Sequence, residues 1–420
     1  MLSQCGLLRR QVLVGKTFVG GILQQTGRVL FSKSKRPSLV PIAHSLQPAW
    51  GYTFQTPENN SPRNSFEIHR GFQTYPALES NTPTALLRYG VAASYSAKGD
   101  GFDPSEDFYD FNTQYIPLEN SRENRKDKKR WPSGEDAFFI TAIDNSENDV
   151  AFGIADGVGG WNNSGIDPAH FSHTLCENMS KAVREIKAAK MADLKARDVI
   201  ELGYQELVQG HSVLGGGSTA CVGLARKSGK LEVANLGDSG YIQIRLNAVH
   251  QASKPQTHEF NTPYQLSLIP PQMRFQMALF GGSVLSDLPV DADVTNLQLQ
   301  HGDVVVFATD GVWDNLNAQD ILKIVSRQMT GLGAWKHGEH GITVADDLAT
   351  MVSDGNMTRV GHTLQSLLAA VVTGEAKRAS HNIKVDGPFA REYQKFRPQD
   401  HYHGGKVDDI CVVVLVAVGH

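Results

Sequence analysis

The chain has 420 residues and a formal net charge of −4, from 40 Lys+Arg against 44 Asp+Glu. That length makes one large domain or two ordinary ones, and the near balance of charge excludes nucleic-acid binding by bulk electrostatics. The four cysteines, Cys5, Cys176, Cys221 and Cys411, are widely spaced without a CxxC pair, which excludes a disulfide framework and a cysteine-built zinc site.

Residues 1–57 contain no acid, and the first is Glu58. The same stretch carries Arg9, Arg10, Lys16, Arg28, Lys33, Lys35 and Arg36, with Leu7, Leu8, Val12 and Val14 interleaved among the first of them. A positive amphipathic segment of this kind reads as a mitochondrial presequence over residues 1–40. The membrane potential draws such cations inward, toward the matrix. Lys16 interrupts the apolar run too early for a secretory signal. No stretch reaches the roughly 18 uncharged apolar residues that span a bilayer. Residues 41–85 read as a flexible linker, polar and punctuated by Pro41, Pro48, Pro57, Pro62, Pro76 and Pro83.

A single folded domain is expected over 86–418. Residues 86–96 read as its first strand, and 121–130, SRENRKDKKR, as a solvated charged loop. Further strands are predicted at 137–143, 149–155, 218–225, 231–236, 240–246, 303–309 and 410–418, each short, apolar and bounded by Gly or Asp. Lys227-Ser228-Gly229-Lys230 reads as a hairpin turn. Asp167 is a predicted N-cap, with Pro168 at the first helical position and Leu175, Met179, Val183 and Ile186 at helical spacing behind it. A second helix places Ile200, Tyr204, Leu207 and Val208 on one face. Pro270-Pro271 reads as a loop turn. Asn317 caps a helix with Ile321, Ile324 and Val325, and a last helix carries Leu364, Leu367, Leu368, Val371 and Val372. This is no strict βαβα alternation, so an antiparallel-rich sandwich is favoured over a doubly wound sheet.

The acids stand at strand ends. Asp156-Gly157 closes FGIADGVGGW, Asp310-Gly311 closes VVVFATDG, Asp408-Asp409 opens the last strand and Glu135-Asp136 opens AFFI. A strand end is rigid, so short carboxylates fixed there can converge. Carboxylates gathered without a partner repel and raise one another's pKa. A hard divalent cation removes that conflict, and magnesium or manganese suits oxygen ligands.

GEDAFF at 134–139, FGIADGVGGW at 152–161, GGSTA at 216–220, NLGDSG at 235–240, FATDGVWDN at 307–315 and GGKVDDI at 404–410 together resemble the ordered motifs of type 2C metal-dependent Ser/Thr protein phosphatases. HEFNTPYQLS at 258–267 and DGPFARE at 386–392 resemble that family's mitochondrial subgroup. The resemblance covers about residues 86–418. It implies an α+β fold, a four-layer α-β-β-α sandwich with two central antiparallel sheets. It also implies a centre of two Mg2+ or Mn2+ ions with a weaker third. Asp156 would bridge the two ions, and the Gly157 carbonyl and Glu135 would serve one. Asp310 and Asp408 would serve the other. Asp238, with Asp310 shared, would hold the third, and Asp136 would orient the attacking water. The implied reaction is direct hydrolysis of phosphoserine and phosphothreonine in phosphorylated proteins, without a phosphoenzyme. A monomer is expected.

Three positions depart from that pattern. Val158 stands where many members have a proton-donating His, and Trp131 where many have a phosphate-binding Arg, with Lys129 and Arg130 beside it. Gly240 likewise replaces an Arg often found after the GDS motif. The Gly215–Thr219 run lacks a P-loop lysine and leads into a strand, so it reads as structural. An aspartyl-phosphate hydrolase would need a second Asp two residues from its nucleophile, yet residues 154, 158, 308 and 312 are Ile, Val, Ala and Val. A catalytically weak docking protein on the same fold is the remaining alternative. Its mark would be lost acids, and every one is present.

Overall fold

Alternation along the strands decides which residues meet. In the final strand, Ile410, Val412, Val414, Val416 and Val418 enter one apolar cluster, while Cys411, Val413, Leu415 and Ala417 enter another. A strand apolar at every position is buried on both faces, so this one must lie at the centre of a layered structure. The computed structural model describes residues 86–111, 130–144, 146, 148–186, 191–280, 285–355 and 361–419. The expected presequence, the linker and residues 121–129 of the charged run lie outside the described residues.

The strands in chain order are β1 (Leu87–Ser96), β2 (Phe108–Phe111), β3 (Asp136–Ala142), β4 (Val150–Asp156), β5 (Gly216–Ser218), β6 (Ala220–Ala225), β7 (Lys230–Leu236), β8 (Gly240–Arg245) and β9 (Ala248–Ala252). After them come β10 (Thr257–Glu259), β11 (Thr262–Pro263), β12 (Leu266–Leu268), β13 (Asp293–Gln298), β14 (Val304–Ala308), β15 (Trp335–Gly338), β16 (Gly341–Val344) and β17 (Ile410–Gly419). A six-stranded sheet runs β2-β1-β17-β14-β8-β9 and a five-stranded sheet β13-β7-β6-β4-β3. Every pairing within them is antiparallel.

Three apolar clusters account for four layers. Val91, Phe138, Phe152, Ile154, Val233 and Phe307 belong to the one shared by the two sheets. Helices Ala318–Gly331 and Leu364–Ser380 cover the outer face of the six-stranded sheet through Ile321, Val325, Leu368 and Val372. Helices Pro168–Glu185 and Ala196–Gln209 cover the other sheet through Leu175, Met179, Ile200 and Leu207. The fold is thus the expected α-β-β-α sandwich.

Local chemistry agrees with the sequence at the helix starts. Asp167 accepts from Ala169 N ahead of Pro168, and Asn317 accepts from Gln319 N and Asp320 N. The hairpin turn at 227–230 joins β6 to β7, with Gly229 at φ 83°. Two expectations are corrected. Pro271 opens the helix Pro271–Phe280 instead of making a turn; a proline at the first helical position forfeits no intrahelical bond. Val208 is 37% exposed while Ile200 and Leu207 on the same helix are buried, so the inward face is narrower than its apolar pattern. Among the described residues no helix is long and apolar enough to cross a membrane.

Candidate metal centre

The acids singled out in the sequence come together where the two sheets present their strand ends. Asp136 and Asp156 are direct cross-strand partners, the first residue of β3 against the last of β4. Asp310 begins a short helix, Asp310–Trp313, just after β14, and Asp408 precedes β17 by two residues. Strands β14 and β17 are neighbours in the facing sheet. A carboxylate on each element therefore points to one edge of the sandwich.

The motifs clamp one another's backbones there. Gly157 N donates to the Glu135 carbonyl (3.0 Å), which also accepts from Ser172 Oγ (2.5 Å). The GGSTA segment grips Asp156: Ser218 Oγ and Thr219 N donate to its carbonyl (2.8 and 3.0 Å), and Asp156 N donates to Thr219 Oγ1 (3.1 Å). Thr219 Oγ1 in turn bonds Ser239 Oγ of GDSG at 2.8 Å. Gly215–Thr219 is therefore a structural clamp, as the missing lysine suggested. Gly311 is required by close approach, since a Cβ there would run into the Asp409 carbonyl.

Several residues of the centre were given no role by sequence reasoning; Thr309, Asp409 and Lys406 lie within the quoted motifs and Asn162 directly follows one. Thr309 Oγ1 donates to Asp136 Oδ2 at 2.7 Å and accepts from Cys411 N at 3.0 Å. Asp409 accepts from Glu135 N (2.9 Å) and Lys98 N (2.5 Å). Asn162 Nδ2 donates to Glu135 Oε1 at 2.6 Å. Lys406 Nζ lies 2.7 Å from Asp310, 2.6 Å from Asp314 and 3.2 Å from Asp408. The sequence signal was motif membership for Thr309 and Lys406 and a place at a strand end for Asp409, and Asn162 had none, because a lone Thr, Asn or Lys has no periodicity to betray it.

The electrostatics follow from burial first and crowding second. Burial, with Asp409 and then Asp310 nearby, pushes Asp136 well above the ordinary carboxylate range. Burial, then Asp310 and Asp136, does the same to Asp156. Burial and then Asp310 push Asp238 up to about 7. Asp314 is raised by burial and by Asp310, and Glu135 mainly by burial. Asp310 is the exception. Burial would raise it, but the Lys406 ammonium outweighs burial and holds it below the usual range. Among the described residues no three His, Cys, Asp or Glu side chains already stand as a finished metal cage; Asp310 and Asp408 are both drawn to Lys406, and Glu135 to Asn162. The donor set is nevertheless all oxygen, hard and short of cations, which fits magnesium or manganese.

The departures have structural causes. Trp131 packs with Tyr95, Tyr109 and Phe138, its ring centroids 5.2–5.6 Å from theirs. Arg130 pairs with Asp167 at 2.6 Å, outside the acidic centre; Lys129 lies outside the described residues. The cation at the rim is instead Lys98, 3.2 Å from Asp408 and 58% exposed. A Cβ on Gly240 would strike Ser253 Oγ, so a wider side chain there would have to turn that hydroxyl away from Tyr241 N, which donates to it. The two subgroup-like segments meet beside the centre. Phe260 packs on Phe389 (5.2 Å) and Phe396 (5.1 Å), and Phe389 lies 5.0 Å beneath the Lys406 ammonium. His403 pairs with Asp386 and takes no part in the acidic cluster.

With that geometry in view, the model of the Protein phosphatase 2C family matches residues 132–353. Protein phosphatase 2C homolog 7, mitochondrial, of Saccharomyces cerevisiae is 35% identical over 69% of this chain and 76% of its own length. The chain belongs to the protein phosphatase 2C family. It is a protein serine/threonine phosphatase of that family. The Protein phosphatase PTC7 homolog of Homo sapiens is 32% identical over 67% of this chain and 79% of its own length. A solved photosystem II phosphatase, PBCP, overlaps 67% of this chain and 91% of its own at 24% identity, with a TM-score of 0.49. The family match ends before Asp408, whose place in the centre rests on the pairing of β17 with β14.

Proposed function

We propose that this phosphatase binds two Mg2+ or Mn2+ ions through Glu135, Asp156, Gly157, Asp310 and Asp408 and removes phosphate from phosphoserine and phosphothreonine in proteins. One observation carries the proposal: Asp136 and Asp156 face each other across β3 and β4 while Asp310 and Asp408 come from the ends of β14 and β17, so carboxylates from both sheets are gathered and buried at one edge, where burial first and their neighbours second hold Asp136, Asp156 and Asp238 above the ordinary carboxylate range. Bound cations would relieve both the burial and the repulsion. The bound ions would supply acidification of water and polarisation of the phosphoryl oxygens.

The chain's own residues do the rest. Asp136, oriented by Thr309, accepts a proton from the attacking water and sets its direction. Lys98, at the rim beside Asp408, offers a cation to the phosphate in place of the missing arginine. Val158 donates no proton, so none reaches the leaving oxygen from that position. Cys176, Cys221 and Cys411 are buried, with thiols raised by burial, which leaves no thiol nucleophile among the described residues. The acid-free N-terminus and the mitochondrial yeast relative support a mitochondrial location, and the positive amphipathic segment favours the matrix. A chain recovered from mitochondria with Met1 still in place would remove the presequence from this account.

Phosphate release from a phosphopeptide, with Mn2+ and with chelator, tests the reaction. Asp156→Asn should abolish turnover and leave circular dichroism unchanged, because it deletes the charge placed between the ions. Near-normal turnover of that variant at saturating Mn2+ would sink the assignment.

A further inference from the structure

Lys98, the cation given to the substrate phosphate, sits on a tight turn whose main chain is held from two sides. The turn follows β1, and Asp100 N donates back to the Ala97 carbonyl at 3.2 Å. On one side, Asp409 Oδ1 accepts from Lys98 N at 2.5 Å while Asp409 Oδ2 accepts from Glu135 N at 2.9 Å. On the other, the helix Leu364–Ser380 sends in Lys377, whose ammonium donates to the Ala97 carbonyl (2.7 Å) and to the Lys98 carbonyl (3.3 Å). Gly374 lies three residues earlier on that helix, and a Cβ there would come within 3.1 Å of the Phe102 ring. Residues three apart share a helix face, so the chain beyond the turn packs against the face that carries Lys377.

We infer that Lys377 is a positioning residue for the substrate phosphate: by binding the carbonyls of Ala97 and Lys98 it fixes the turn from which the Lys98 ammonium reaches the phosphoryl group. The inference rests on the phosphate role proposed above for Lys98. A lysine side chain is long and flexible, so the region its ammonium samples is set by where its main chain is held. The Lys98 side chain is 58% exposed, with its ammonium 3.2 Å from Asp408 Oδ1, and it is free to turn to the phosphate when Asp408 serves an ion. An ammonium has three donors and no acceptor, which suits two carbonyls on adjacent residues, and its charge strengthens each bond. No bond of this clamp uses an atom given to an ion. Lys377 meets main-chain carbonyls, and Asp409 meets main-chain N–H groups. Asp409 also ties the turn to Glu135, so the phosphate cation and an ion-binding motif are held on one frame.

The experiment is a double-mutant cycle on the full chain, read as the KM for a phosphopeptide and the inhibition constant of inorganic phosphate, both at saturating Mn2+. Lys98→Met should raise both constants about 10-fold or more, the cost of losing a charged partner. Lys377→Met should raise both about 5-fold or more, with the half-activating Mn2+ concentration within about twofold of wild type. Lys377→Arg keeps the cation and its donors and should recover most of the loss. In the Lys98→Met background, Lys377→Met should change either constant by less than about twofold, because no ammonium remains to be positioned. If Lys377→Met does not fold, Lys377→Gln takes its place in the cycle. Wild-type constants in the Lys377 variant, or an equal loss with and without Lys98, would overturn the inference and leave the role of Lys98 intact. Wild-type constants in Lys98→Met would overturn that role and this inference with it.

Discussion

Replacing Thr309 by valine changes one polar atom whose shorter contacts are to Asp136 and to Cys411 N, with the Cys411 carbonyl farther off at 3.4 Å. The hydroxyl donates to Asp136 Oδ2 at 2.7 Å and accepts from Cys411 N at 3.0 Å, and both Thr309 and Asp136 are buried. Valine keeps the shape and removes both bonds. A hydrogen bond to a charged group contributes about 1.5–3 kcal/mol, and a stranded buried donor costs about 1–3 kcal/mol. The first figure bears on function. Thr309 favours the charged form of Asp136 against burial and against Asp409, so its loss should raise the Asp136 pKa further. If Asp136 works as a carboxylate, the acidic limb of kcat/KM moves to higher pH. Turnover at neutral pH then falls by about 10- to 100-fold, the usual cost of losing a partner of a metal-site group. Thr309→Ser keeps the hydroxyl and loses one methyl, worth about 1 kcal/mol of stability, and should keep its pH profile. The assay is the pH dependence of phosphopeptide hydrolysis at saturating Mn2+, alongside urea unfolding of both variants. A Thr309→Val protein that folds and titrates like wild type would refute the role given to Asp136.

Two further expectations follow from the same centre. In the metal-free protein Asp238 is raised from 3.8 to about 7, so folding favours its protonated form; the stability it contributes is full below about pH 4 and is lost as pH rises through about 7. The chelated chain should therefore unfold at a lower temperature at pH 7.5 than at pH 5.5, with Mn2+ reducing the difference, and an equal melting temperature at both pH values under chelation would contradict this. At Val158, a positioned acid would contribute about 100- to 10,000-fold; without one, rates for aryl phosphates should fall steeply as the leaving phenol's pKa rises, and Val158→His should help poor leaving groups most. A flat dependence with chemistry rate-limiting would reveal a proton donor elsewhere.

The sequence by itself determined the strands of the sandwich, the caps at Asp167 and Asn317, and the places of the acids at strand ends, because apolar alternation, turn residues and Asp-Gly junctions are local signals. It did not reveal the edge strands β2, β9 and β13, where packing is one-sided and the alternation fades, or the helix begun by Pro271. The tertiary structure alone decided who stands beside whom at the centre. Thr309 reaches Asp136 across 173 positions, and Lys406 reaches Asp310 across 96. Each is a single side chain whose meaning depends on a partner brought near only when β3 and β4 of one sheet close over β14 and β17 of the other. Burial between those sheets, not any repeat in the chain, converts scattered carboxylates and one lysine into a single electrostatic unit.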